Sequence, residues 1–173
     1  MKLSFMLPQE CIVTAVKGGE RLKRDVLAEL VGVLYAQTAL QNEGMTKEQI
    51  VDMLINRENE LSTAVGDGFA FPHARVNDLK GGYLLLGVSQ EGADFSSPDN
   101  KPVNFFLLSL VCSSNPNLLL QSRAALMRFL LPQKTRSDVM GAKSAAEIWQ
   151  MIDNSGVSID KDVVARDIMW PQI

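Results

Sequence analysis

The sequence predicts an α/β domain: a single mixed β-sheet of about five strands, flanked by helices on both faces. Three observations carry this. The apolar runs 83–90 and 103–112 have strand length and are bounded by Gly81-Gly82, Glu91-Gly92 and Pro102. Segments before and after them repeat apolar residues at helical spacing. The chain has 173 residues, 46% of them hydrophobic, which suffices for one well-buried core and is short for two typical domains.

In chain order, residues 3–16 read as an irregular entry segment with a short extended piece at 11–16, closed by Gly18-Gly19. Over 20–41, Leu22, Val26, Leu27, Leu30, Val33 and Leu34 recur as one helical stripe. Thr46 followed by Gln49 has the form of a capping box, and Ile50, Val51, Met53 and Leu54 continue a helix to about residue 59. Arg57 lies near its end, where the helix dipole favours a cation whatever else the residue does. The run 103–112 is apolar almost throughout, as suits a strand covered on both faces, so it is placed centrally. Asn115 as cap with Pro116 behind it opens a helix that Pro132 halts. Ser144 with Glu147 is a further capping box, opening a helix that buries Ile148, Trp149, Met151 and Ile152. The domain is expected to span 1–156, with 157–173 as a tail or linker outside the core.

A net charge of −3 and a pI near 5.2 argue against nucleic acid or an anionic membrane as partner, since both demand a basic face. No apolar run approaches the roughly 18 residues of a membrane span. Cys11 and Cys112 sit in apolar contexts without a secretory signal, which suits a reduced cytoplasm; Cys112 reads as a small buried hydrophobe. One histidine and no clustered cysteines leave a zinc site without ligands, and no metal or cofactor is expected.

Residues 66–75, GDGFAFPHAR, hold that histidine, His73, among two glycines, a proline and two aromatics. Such a stretch can turn tightly and fix an imidazole at one angle. A lone histidine in an apolar run is more often a hydrogen-bonded structural residue than a catalyst.

The stretch resembles the signature G-x-G-x-A-x-P-H-[GA] of the fructose/mannitol-type enzyme IIA domains of the bacterial sugar phosphotransferase system, matched by Gly66, Gly68, Ala70, Pro72, His73 and Ala74. Arg57-Glu58 stands where that family carries an Arg-Glu pair, and Asp99, Pro102 and Val103 follow its D-x-x-P-V pattern. The resemblance spans roughly residues 5–155. It implies that His73 accepts a phosphoryl group from a phosphorylated histidine carrier protein. The group then passes to a downstream enzyme IIB or is displayed to a regulatory target protein.

On that reading, an unprotonated imidazole nitrogen is the nucleophile, and catalysis is positioning plus electrostatics. Arg57 and Arg75 are the cations expected at the phosphoryl group, and the backbone around Gly66 and Gly68 is expected to form an anion-holding nest. Phe69 and Phe71 are expected to be accessible and to anchor the docking partner. Many members carry a second histidine near positions 119–121, absent here; this points away from sugar transport and towards the nitrogen-regulatory subgroup, where an arginine stands near the site instead. Asp67, where asparagine is usual, is expected to point away or to pair with an arginine. The alternatives are an enzyme IIA feeding a fructose/mannitol-type permease, or a binding module that no longer carries phosphate. A hydrolase would lack a nucleophile with a partner acid. Residues 164–171 resemble the opening of a CBS domain.

Overall fold

The computed structural model describes residues 1–159. Its elements run α1 (Leu3–Met6), a 3-10 turn (Gln9–Cys11), β1 (Ile12–Val13), α2 (Lys23–Gln37), a second 3-10 turn (Ala39–Asn42), α3 (Lys47–Glu60), β2 (Ala64–Gly66), β3 (Phe69–Ala70), β4 (His73–Val76), β5 (Tyr83–Ala93), β6 (Val103–Cys112), α4 (Pro116–Leu130), α5 (Gln133–Gly141) and α6 (Ala145–Ser155). Among the described residues the sheet has six strands in the order β1-β5-β6-β3-β2, with β4 also paired to β6. The sheet is mixed: β5 and β6 are antiparallel, whereas β1 lies parallel to β5, and β3 and β4 parallel to β6.

Strand β6 is central, as its apolar run requires: eight of its ten residues are buried. Side chains alternate between the faces of a strand. On one face Gly87 sits opposite Phe106, and a Cβ at Gly87 would come within 2.9 Å of Leu30 in α2. On the other, Phe105 stacks on Phe69 at 5.2 Å, with the Arg136 guanidinium of α5 over the Phe69 ring. Helices therefore cover both faces.

The capping signals act as expected at α3, where Thr46 and Gln49 form the full reciprocal box, an arrangement whose cap is typically worth about 1 kcal/mol. Asn115 caps α4 ahead of Pro116. At α6, Ser144 caps Glu147 N–H, while the Glu147 carboxylate turns to Lys143 N–H instead. Helix α2 ends at Gln37, short of the expected 41, because Thr38 is extended and its hydroxyl accepts Leu40 N–H to start the second 3-10 turn.

Residues 157–159, the start of the tail expected to leave the core, pack back onto it. Leu3 N–H donates to Val157 O, Ile159 N–H to Met1 O, and Ile159 is buried. The remainder, 160–173, including the CBS-like stretch, lies outside the described residues. Among the described residues no helix is long and apolar enough to cross a membrane.

Candidate functional site

Strands β3 and β4 are two halves of one strand, since Phe69 pairs with Phe105 and His73 with Ser109 without a slip in register. Phe71 and Pro72 form the interruption. Pro72 O still accepts Ser109 N–H towards β6, and Phe71 N–H donates to Thr63 O on the outer side. Beyond Thr63 the chain belongs to the turn from α3, so among the described residues no strand meets the outward-facing carbonyl of Phe71. His73 takes it: Nδ1 lies 3.0 Å from Phe71 O. A carbonyl can only accept, so Nδ1 carries the ring proton and Nε2 the lone pair.

Helix α3 supplies the opposing wall. Met53, Asn56, Arg57 and Glu60 lie at i, i+3, i+4 and i+7, one face of the helix, and with His73, Ala74 and Arg75 they line an open cleft of about 560 Å³. His73 and Arg75 share one side of β4, with buried Ala74 between them. Arg57 is half-buried and donates to Leu61 O at 3.0 Å, so it serves the helix end and the cleft together. Arg75 is exposed. Burial pushes the His73 imidazole from its ordinary 6.5 down to about 4; the Phe71 carbonyl opposes this, and Arg123, Arg57 and Arg75 add to it. At neutral pH the ring is a free base.

Arg123, on α4, is the residue sequence reading missed. Its guanidinium reaches Phe71 O at 3.5 Å and lies 5.6 Å from the centre of the Phe71 ring. The signal was present: Arg123 falls four residues after Leu119 and three before Leu126, both buried, which puts a cation on the inward flank of an otherwise apolar stripe.

The glycine turn is placed differently from expectation. Gly66, Asp67 and Gly68 all have positive φ, a conformation that favours glycine at its ends, but none of them lines the His73 cleft. The turn does hold an anion, and it is the chain's own: Asp99 accepts Asp67 N–H at 2.8 Å, along with Ser97 Oγ and Lys101 N–H. These hydrogen bonds, that to Ser97 first, hold the Asp99 carboxyl down at about 2. Asp67 pairs with Arg136 at 2.6 Å.

Phe69 and Phe71 are not accessible; they are 1% and 7% exposed. Phe69 is held between Phe105 and Arg136, and Phe71 lies under Arg123. Among the exposed apolar side chains, Leu61, 71% exposed, is tied to the cleft through its carbonyl, which holds Arg57. Among the described residues no group of three His, Cys, Asp or Glu side chains is placed to hold a metal.

The sequence model of the family described as "Phosphoenolpyruvate-dependent sugar phosphotransferase system, EIIA 2" matches residues 6–155. The chain is 28% identical over 153 residues to a fructose-specific EIIABC component of the phosphotransferase system from Bacillus subtilis strain 168, covering 88% of this chain and 23% of that protein. It thus spans about a quarter of that relative's length. A nitrogen regulatory protein of Bradyrhizobium diazoefficiens is 26% identical over 152 residues, covering 88% of this chain and 95% of its own. In fold, the chain is similar to nitrogen regulatory protein IIA-Ntr from Neisseria meningitidis, with a TM-score of 0.74 at 23% identity over 87% of this chain and 98% of that one. With the mixed sheet, the glycine turn and the histidine that follows it all falling inside the matched segment, the chain belongs to the EIIA type 2 family of the phosphoenolpyruvate-dependent sugar phosphotransferase system.

Proposed function

We propose that this chain is a phosphocarrier in which His73 Nε2 accepts a phosphoryl group from a phosphorylated histidine carrier protein. The observation that carries the reading is the bond from Nδ1 to Phe71 O, which commits the ring proton and leaves Nε2 as the nucleophile in a cleft walled by cations. In the step, the Nε2 lone pair attacks phosphorus as the donor's N–P bond breaks, and the bonding pair stays on the donor imidazole. No proton leaves His73. Arg57 and Arg75 stabilise the charge on the equatorial oxygens, and the cleft excludes neither from solvent, so a protein donor can reach them.

The donor docks on the rim that is exposed rather than on the buried phenylalanines, with Leu61 as the apolar contact. Onward, the group goes to an enzyme IIB or is displayed to a regulatory target. A single histidine in the whole chain supports display over relay to a permease, because the cleft has no second imidazole to share the phosphoryl group. Free Cys11 and Cys112 suit a reduced cytoplasm.

Incubating the protein with phosphoenolpyruvate and the two general carrier proteins, then reading its intact mass, tests this. One phosphoryl group is expected on wild type and none on His73→Ala. An unmodified wild type would leave the binding-module reading.

A further inference from the structure

A cation on the inward flank of a packed helix normally meets a carboxylate, because an unpaired buried charge is costly. Arg123 does not. Among the described residues its only hydrogen bond is the long one to Phe71 O, at 3.5 Å, and that carbonyl already accepts from His73 at 3.0 Å. Its Nε is buried with no hydrogen-bond partner among the described residues. The charges that act on it, Arg57 and Arg75, have its own sign; with burial as the larger influence they bring it down to about 10, still protonated at neutral pH. Arg123 stands behind the His73 cleft, at the Phe71 carbonyl and ring, and Glu60, the carboxylate that lines the cleft with Arg57 and Arg75, makes no ion pair with any of the three arginines. Three cations therefore act on the His73 imidazole, and among the described residues none of them is ion-paired.

We propose that Arg123 is a phosphoryl-contact residue whose donors are satisfied only in the phosphorylated protein, so that phosphohistidine supplies the anion this cluster lacks and stabilises the fold. The inference rests on the phosphocarrier reading and adds to it a residue and a consequence. Once the N–P bond has formed at Nε2, the group brings about two negative charges within the field of the three cations. A guanidinium offers its donors as a rigid fork suited to two phosphoryl oxygens. The 3.5 Å contact with Phe71 O is weak and easily given up. Its loss leaves that carbonyl wholly to Nδ1–H, which keeps the phosphorylated ring in place.

The test compares wild type, Arg123→Met and Arg123→Lys, each with and without phosphate on His73. Phosphoramidate, a small P–N donor, phosphorylates the protein without the carrier contacts; phosphoenolpyruvate with the carriers is the second route. Melting temperature and the hydrolysis rate of the phosphohistidine are read for every form. For wild type, phosphorylation is expected to raise the melting temperature by several degrees. Arg123→Met keeps a long apolar stem over Phe71 and removes the unpaired charge. Its unphosphorylated form is expected to melt no lower than wild type, the rise on phosphorylation to be largely lost, and the phosphohistidine to hydrolyse about tenfold faster, the loss of roughly one charge-assisted bond. Arg123→Lys is expected between the two, and it carries the same comparison should the methionine variant not fold. If Arg123→Met lowers both forms equally and leaves the rise on phosphorylation intact, Arg123 is a packing residue and the proposal is wrong. If wild type takes no phosphoryl group from either donor, the phosphocarrier reading itself fails.

Discussion

The carboxylate of Glu58 accepts both the backbone N–H and the hydroxyl of Thr63, with Oε2 taking the hydroxyl at 2.5 Å. Glu58 is 3% exposed and also receives Ser62 Oγ and the ammonium of Lys23, 3.1 Å away on α2. It thereby fixes the turn that joins α3 to β2. Thr63 O in turn holds Phe71 N–H, one residue before Pro72, so the carbonyl that orients His73 is anchored through this carboxylate.

Glu58→Ala is therefore expected to destabilise the fold by about 3 kcal/mol, since it strands Lys23 and leaves the Thr63 donors unsatisfied in a buried turn. Glu58→Gln, which keeps one acceptor, should cost less. Chemical denaturation of both variants measures this, and an alanine variant as stable as wild type would mean that the turn is held by packing alone.

His73 should titrate with a midpoint near 4, well below its usual 6.5. Being the only histidine, it gives a single imidazole signal by NMR. The folded value lies below the unfolded one, so between about pH 6.5 and 4 the unfolded chain binds the extra proton. Stability then rises with pH across that window and is lost as pH falls through it. A midpoint at 6.5 or above would show that the ring is neither desolvated nor opposed by the arginines.

Removing the guanidinium of Arg57 should slow phosphoryl transfer to His73 by about 100-fold, the usual scale for a donor aimed at transition-state charge. Arg57→Lys should recover part of the rate, because an ammonium supplies the charge without the two-pronged contact. Both should fold, as the helix end loses only the bond to Leu61 O. Equal transfer rates in wild type, Arg57→Ala and Arg57→Lys would assign Arg57 to the helix end alone.

Leu61→Ser should raise KM for the phosphorylated carrier about tenfold while leaving transfer from phosphoramidate unchanged. The side chain is 71% exposed and lies outside the buried core. Matching kinetics with the protein donor would move the docking surface elsewhere on the rim.

Much of this molecule was legible from short-range rules. The box at Thr46 and Gln49, the Asn115-Pro116 start and the central position of 103–112 all follow from patterns confined to a few residues. What escaped depends on tertiary context. Helix α5 has one buried residue, Val139, and no apolar stripe to announce it. Phe69 and Phe71 looked like surface anchors because their neighbours are turn residues, yet β3 lies between β2 and β6 and is buried. Arg123 is 50 residues from His73 in sequence, and only the packing of α4 on β6 brings its charge to the imidazole.

The unbroken register across β3 and β4 makes the segment between them tolerant in composition and intolerant in length. Replacing Phe71 changes what lies under Arg123 but leaves His73 opposite Ser109. Inserting or deleting one residue between Ala70 and His73 either turns the imidazole to the opposite face of the sheet or forces β4 to slide along β6, since side chains alternate with a period of two. Redesign of this site is thus confined to exchanges at constant spacing, whereas the turn between β5 and β6 sets no side-chain face on β4 and is constrained instead by Asp99, which holds the glycine turn, and by buried Phe95.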